Sequence, residues 1–135
     1  MSAANEALGR LYFSEEDRLH GPPPELCNED YVAHISGNPP LTFADHAALA
    51  AGFYSAFPDY VHVIDDVVAN DRTVVVRFTL RGTHLGEFAG IPASGNPVEA
   101  VGISMLTVRD GKVSSVNGVF DQVAMLRQVG AFPAA

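Results

Sequence analysis

An α+β fold, with helices laid over one face of an antiparallel sheet, is what this 135-residue sequence predicts. Three observations carry it. Apolar residues recur at helical spacing before Pro58, the spacing turns strand-like after it, and Asp110-Gly111 gives a tight hairpin signal late in the chain. No repeat or linker interrupts this order, so residues 1–135 are read as a single domain.

The elements follow in order. Leu8, Leu11, Tyr12 and Leu19 mark an amphipathic helix over 5–19, stopped by Gly21 and Pro22-Pro23-Pro24. A short helix is expected near 24–33, with Pro24 in its first turn. Ser36-Gly37-Asn38-Pro39-Pro40 reads as a loop. Thr42-Phe43-Ala44-Asp45 reads as a capping box, opening a helix that Pro58 closes. Residues 60–69 are rich in Val and Ile, and Asn70-Asp71 supplies a turn. In 73–84, Val74, Val76, Phe78 and Leu80 share one face while Arg77, Thr79 and Arg81 take the other. The glycines and prolines of 85–97 make a loop; strands are expected over 98–109 and 112–120, and a closing helix over 122–129 ends at Gly130.

Composition limits the function. With 47% hydrophobic and 18% charged residues the chain can bury a core. A formal charge of −8 opposes docking on nucleic acid or on anionic lipid. The one cysteine, Cys27, allows no internal disulfide and suits a reducing compartment. The segment MSAANEALGR lacks the apolar core of a signal peptide, and no apolar run reaches the roughly 18 residues of a membrane span, so a cytoplasmic protein is expected. No CxxC or HExxH pattern is present, and the five histidines are scattered, so no metal or other cofactor is expected. Ser104, Ser114 and Ser115 lack a G-x-S-x-G context, and the glycines of 82–95 precede a strand rather than a helix. Nucleophilic serine chemistry and phosphate cradling find no support.

Three segments resemble a known family: Ala56-Phe57-Pro58-Asp59; Gly82-Thr83-His84-Leu85-Gly86-Glu87-Phe88 with Gly90-Ile91-Pro92 and Gly95; and Asp121 with Gln128-Val129-Gly130. In this order they resemble the SnoaL-like ester and polyketide cyclases, over most of residues 30–133. The resemblance implies the cone-shaped fold shared with ketosteroid isomerase, scytalone dehydratase and nuclear transport factor 2. There a curved antiparallel sheet wraps helices around a deep apolar pocket. It also implies a small carbonyl-rich, polyketide-like substrate, aldol-type ring closure or isomerisation, a carboxylate as acid and base, no cofactor, and a homodimer. Two alternatives stay open: a binding protein of the same fold without turnover, and epoxide hydrolysis, for which no Asp-Arg-Asp group is evident.

By position, the resemblance implies that Asp121 is the catalytic carboxylate. Asp121 shares parity with Val113 and Val119, which suits an inward carboxylate, yet an Asp before Gln-Val-Ala-Met-Leu is also a good N-cap. His84 continues the parity of Leu80 and is either a second catalytic group or an anchor for the glycine-rich loop. His34 matches a polar pocket position of the family, or it anchors its loop. Asn117 stands where many relatives carry an aromatic residue, typically Trp, and this chain has none. Glu99 shares the parity of Val101, Ile103 and Met105 and is either an inward second carboxylate or solvated. Tyr54, Phe57, Phe88 and Met105 are candidate pocket walls, a role competing with simple core packing.

Overall fold

The computed structural model describes residues 2–132. Helix α1 (Ser2–Leu19) leads through a single 3-10 turn (Pro24–Leu26) into strand β1 (Cys27–Ile35) and the two-residue β2 (Leu41–Thr42). Helix α2 (Phe43–Ala56) follows, then strands β3 (Val61–Ala69), β4 (Thr73–Thr83), β5 (Pro97–Arg109) and β6 (Lys112–Phe120), and helix α3 (Gln122–Gln128). The strands form one six-stranded sheet in the order β2-β1-β6-β5-β4-β3. Irregular registers between Ile64 and Asp66 and between Thr107 and Val108 bend it, because an extra residue on one strand kinks the pair. No described helix is long and apolar enough to cross a membrane.

The expected helix over 24–33 gives way to β1. Pro24 does open a turn, but the chain then extends, and Val32 to Ile35 run parallel to Ser115 to Gly118 of β6. That pairing satisfies a sheet edge that β6 would otherwise leave open, a gain that outweighs weak local helix preference. The sheet is therefore mixed: its other pairs are antiparallel.

Local signals elsewhere read through to structure. Thr42 caps α2 through Asp45 N–H at 3.2 Å, and the Asp45 carboxylate accepts from Thr42 N–H in return. Asp110 and Gly111 both have positive φ, as a two-residue hairpin requires. Along β4, Val74, Val76, Phe78 and Leu80 are buried as the alternation predicts. Helix α1 lies across β3 and β4 so closely that a Cβ on Gly9 would stand 2.5 Å from Val74 Cγ1. Its buried face is Tyr12, Phe13 and Glu16, whereas Leu11 and Leu19 are 46% and 44% exposed. The stripe first read on this helix is thus rotated from the real one.

Strand β5 inverts the expectation drawn from its apolar residues. Val98, Ala100, Gly102, Ser104 and Leu106 face inward, while Val101, Ile103 and Met105 lie outside. Small residues take the inner positions because large ones opposite need the room: a Cβ on Gly102 would fall 2.4 Å from the Phe78 ring.

Candidate active site

Between α1, α2 and the concave face of the sheet lies a cavity of about 260 Å³. Phe13, Phe53, Phe78, Phe88 and Phe120 line it, with Tyr12, Tyr54 and Tyr60 beside them. Three titratable side chains of another kind interrupt this apolar surface: Glu16, His46 and His62. Ionisable groups inside an aromatic cavity are costly to keep, so they mark the place to look for chemistry.

Glu16 and His62 form the first cluster. Helical spacing puts Glu16 one turn beyond Tyr12, on the face of α1 that meets the sheet. His62 enters from β3, where it pairs with Leu80, and its ring packs between Phe13 and Phe78 at centroid distances of 4.8 and 4.9 Å. Asp17 holds the imidazole from behind. Its Oδ1 lies 2.7 Å from His62 Nδ1, and its Oδ2 accepts the His62 backbone N–H at 2.8 Å. The Tyr54 hydroxyl donates to the same Oδ1 at 2.6 Å. A carboxylate only accepts, so Nδ1 carries the proton, and Nε2 is left toward Glu16 Oε1 at 4.0 Å.

The two neighbouring carboxyls are pushed apart. Burial raises the Glu16 carboxyl above its ordinary value; the His62 imidazole opposes the rise, the Asp17 charge adds to it, and a hydrogen bond from Tyr12 opposes it. Burial also raises Asp17, but its hydrogen bonds to His62 and Tyr54 outweigh that and hold it below its usual value. The two carboxyls are thus shifted in opposite directions, the kind of separation that acid/base pairs use.

A second polar string crosses the cavity's other side. The Tyr12 and Tyr31 hydroxyls lie 2.7 Å apart, and the Tyr31 hydroxyl lies 2.9 Å from His46 Nδ1. His46 sits in the first turns of α2, stacked parallel to Tyr31. Burial lowers its pKa to about 4, so the ring is neutral at ordinary pH. Among the described residues, no group of three or more His, Cys, Asp or Glu is placed to hold a metal ion.

The residues nominated from sequence divide into three groups. Tyr54 and Phe88 line the cavity. Phe88 reaches it from a tight turn in which Ala89 and Gly90 both have positive φ and Phe88 and Ile91 exchange backbone hydrogen bonds. Phe57 and His84 are completely buried but lie behind the wall, in ring contact with each other at 5.6 Å. His84 anchors the loop: its Nδ1 accepts the Ser94 N–H at 3.2 Å and lies 2.8 Å from the Ser94 hydroxyl. His34, Asn117 and Met105 do come together, as one cross-strand row through β1, β6 and β5, but on the outer face of the sheet. Met105 is 47% exposed, and Glu99 also lies outside, beside Arg81.

Asp121 departs from the inward position its parity implied. Val113, Val116 and Gly118 face inward, so the alternation slips by one within β6 and leaves Val119 and Asp121 exposed. The Asp121 carboxylate accepts the Ala124 N–H at 2.9 Å, capping α3. Phe120 and Gln122 line the cavity; Asp121 between them does not.

Glu16, His46 and His62 were missed by sequence reasoning, though signals for two of them existed. Glu16 stands at i+8 from Leu8 and i+4 from Tyr12, on the helix's truly buried stripe. Folding β3 onto β4 through the Asn70-Asp71 turn sets His62 opposite Leu80 and Ile64 opposite Phe78, both of which the alternation had already placed inward. His46 had no comparable signal, since α2 is apolar over most of its surface.

The fold has parallels among solved structures. AclR of Streptomyces galilaeus, a candidate hydroxylase, superposes with a TM-score of 0.86 at 26% identity, covering 98% of this chain and 100% of its own. A candidate SnoaL-like polyketide cyclase from Jannaschia sp. CCS1 gives 0.85 at 22% identity, over 98% and 95% of the two chains. IdmH of Streptomyces antibioticus, a candidate polyketide cyclase, gives 0.76 at 28% identity, over 95% and 96%. No curated protein matches the chain. Residues 19–129 match the SnoaL-like polyketide cyclase family, and that stretch holds His46, His62 and the whole sheet. The chain belongs to the SnoaL-like polyketide cyclase family.

Proposed function

We propose that the chain is a cyclase- or isomerase-like enzyme acting on a compact, carbonyl-bearing organic molecule, and that Glu16 is the group that moves the proton. The observation that carries this reading is a carboxyl buried in an aromatic cavity beside an imidazole that Asp17 fixes. Taken out of water, the carboxylate is a stronger base than in solution. It takes a proton from carbon next to a carbonyl, and His62 balances the charge that shifts during the step. The same carboxyl then returns the proton to the new alkoxide of a ring closure, or to another carbon in an isomerisation. Asp121, on this reading, holds α3 in place rather than handling protons. The volume falls just under the roughly 300–1,000 Å³ of common ligand pockets, which favours a small ring system over an extended polycycle.

The test needs no knowledge of the natural substrate. Deuterium uptake at the α-carbon of 2-tetralone, followed by proton NMR in heavy water at neutral pH, reports the first step common to aldol closure and isomerisation. The protein is expected to accelerate uptake well above buffer alone. Binding of the ketone without any acceleration would sink the acid/base reading and favour a binding protein.

The outer face of the sheet supports a homodimer. Val101, Ile103, Met105 and Val119 are exposed on the adjacent strands β5 and β6, an apolar surface of the kind a partner covers, and Arg77, Thr79 and Arg81 of β4 separate it from Val61 and Val63. Its neighbouring charges are Arg77 and the Arg81–Glu99 pair, which a two-fold related copy can match with opposite charges. Ile103→Lys is expected to weaken self-association about tenfold or more in sedimentation experiments. A wild-type chain that sediments as a monomer throughout would remove the proposal.

A further inference from the structure

Strand β5 puts one polar side chain on the inner face of the sheet. Its inward residues are Val98, Ala100, Gly102, Ser104 and Leu106, and Ser104 is only 4% exposed and lines the cavity. Among the described residues no hydrogen bond reaches the Ser104 hydroxyl. The buried side-chain atoms there that both lack a partner and are sealed from any space are Asn28 Oδ1 and His84 Nε2, so the Ser104 oxygen opens onto the cavity. A hydroxyl taken out of water and left unpaired lowers stability, which a ligand oxygen in the cavity would offset. We propose that the Ser104 hydroxyl is the donor that binds the substrate's carbonyl oxygen and stabilises the enolate formed when Glu16 takes the proton. This role rests on the acid/base reading above.

The neighbouring strands keep that hydroxyl open to a ligand. Ser104 pairs with Gly118 of β6, where a Cβ would fall 2.9 Å from Ser104 Oγ. Any larger residue at 118 would therefore crowd the hydroxyl, and Gly118 itself lines the cavity together with Ile35. On the other side Ser104 pairs with Val76 of β4, which is completely buried. The surroundings are apolar, and in so low a dielectric a single hydrogen bond to a developing negative charge is worth more than it is in water.

Direction separates Ser104 from the other polar groups of the cavity. A C–H bond next to a carbonyl breaks readily when it stands perpendicular to the carbonyl plane, because its electron pair then flows into the π system. Hydrogen-bond donors to the oxygen lie near that plane. Base and donor must therefore come from different walls, and Glu16 enters from α1 while Ser104 enters from the sheet. The Tyr60 hydroxyl also lacks a hydrogen bond, but its ring packs on Tyr54 and His62, among the groups around the base. In the step itself the C–H bond breaks and its proton goes to the Glu16 carboxylate. Its electron pair forms the C=C bond, and the carbonyl π pair moves onto the oxygen that Ser104 holds. Ser104 keeps its own proton throughout, so it acts as a donor and not as a nucleophile.

The test follows the carbonyl carbon-13 shift of labelled 2-tetralone bound to the protein, and its affinity relative to tetralin, the same ring frame without the oxygen. A hydrogen bond to the oxygen raises that shift. In the wild type the shift is expected above its value in alkane solvent, with the ketone bound about three- to tenfold more tightly than tetralin. Ser104→Ala, melting close to wild type because no bond within the fold is lost, is expected to return the shift toward the alkane value and to remove the preference. Its deuterium uptake is expected to fall roughly tenfold or more through kcat, with KM changed less, since the bond to an enolate is stronger than the bond to a ketone. A Ser104→Ala protein whose bound ketone keeps the wild-type shift overturns the assignment, and so does a shift that moves only in Tyr60→Phe. A wild type that binds tetralin as well as the ketone, or binds neither, also overturns it. A Ser104-dependent shift without deuterium uptake keeps the oxygen site and sinks Glu16 as the base, whereas uptake unchanged in Ser104→Ala does the reverse.

Discussion

Glu16→Gln is expected to lower deuterium uptake into 2-tetralone by roughly a hundredfold or more and, at a pH above the folded value of the Glu16 carboxyl, to raise the melting temperature. Both effects come from one cause. Burial raises the Glu16 carboxyl, so the folded chain binds that proton more tightly than the unfolded chain does. The stability this gives is fully present below the unfolded value near 4.5 and is lost as pH rises through the higher folded value. Above that folded value the wild type therefore carries the cost of a buried charge that an amide of the same shape does not. The gain in melting temperature should shrink as pH falls toward 4.5. Asp17 has the opposite sign: its lowered value stabilises the fold above the ordinary Asp range, a contribution that fades on acidification in wild type and variant alike.

The companion variant is Asp121→Asn, which keeps the cap on α3, since Asn caps nearly as well as Asp. Its exchange rate is expected to stay within a few-fold of wild type. If Asp121→Asn loses activity and Glu16→Gln does not, the proton belongs to Asp121 and the assignment made from geometry fails.

How far the sequence could be read depended on whether a signal was local. The capping box at Thr42, the alternation of β4 and the Asp110-Gly111 turn each need only a few neighbouring residues, and each is present in the structure. The 27–35 strand was hidden because it exists through pairing with β6, some eighty residues away. The faces of β5 were misread because the inner face is small rather than apolar: Gly102 and Ser104 make room for Phe78 and the cavity, while large aliphatic residues lie outside. The site suffered most from this. His34, Asn117 and Met105 do form a row, so their relative placement was legible, but their side of the sheet was not. Glu16 and His62 lie on different elements, and only the docking of α1 on β3 brings them to 4.0 Å.

Phe57→Ala is expected to cost about 3–5 kcal/mol of stability, the usual range for emptying a buried aromatic site. Phe57 follows the end of α2, where its N–H closes the last turn onto Phe53. Its ring has no exposed surface and contacts Phe53, Phe88 and His84 at centroid distances of 5.0–5.7 Å. Gly82 lies against it so tightly that an added Cβ would come within 3.3 Å of Phe57 Cβ. The void left by alanine therefore lies between α2, β4 and the loop that carries Phe88, with backbone on two sides that cannot collapse into it. Phe88, which faces the cavity and is only partly buried, should behave differently: its loss weakens ketone binding at a smaller cost in stability. Urea unfolding separates the two. The Phe57→Ala midpoint should fall sharply, while protein still folded below that midpoint exchanges tetralone within a few-fold of wild type. A Phe57→Ala protein that unfolds like wild type but no longer binds ketone would put Phe57 on the cavity wall instead of behind it.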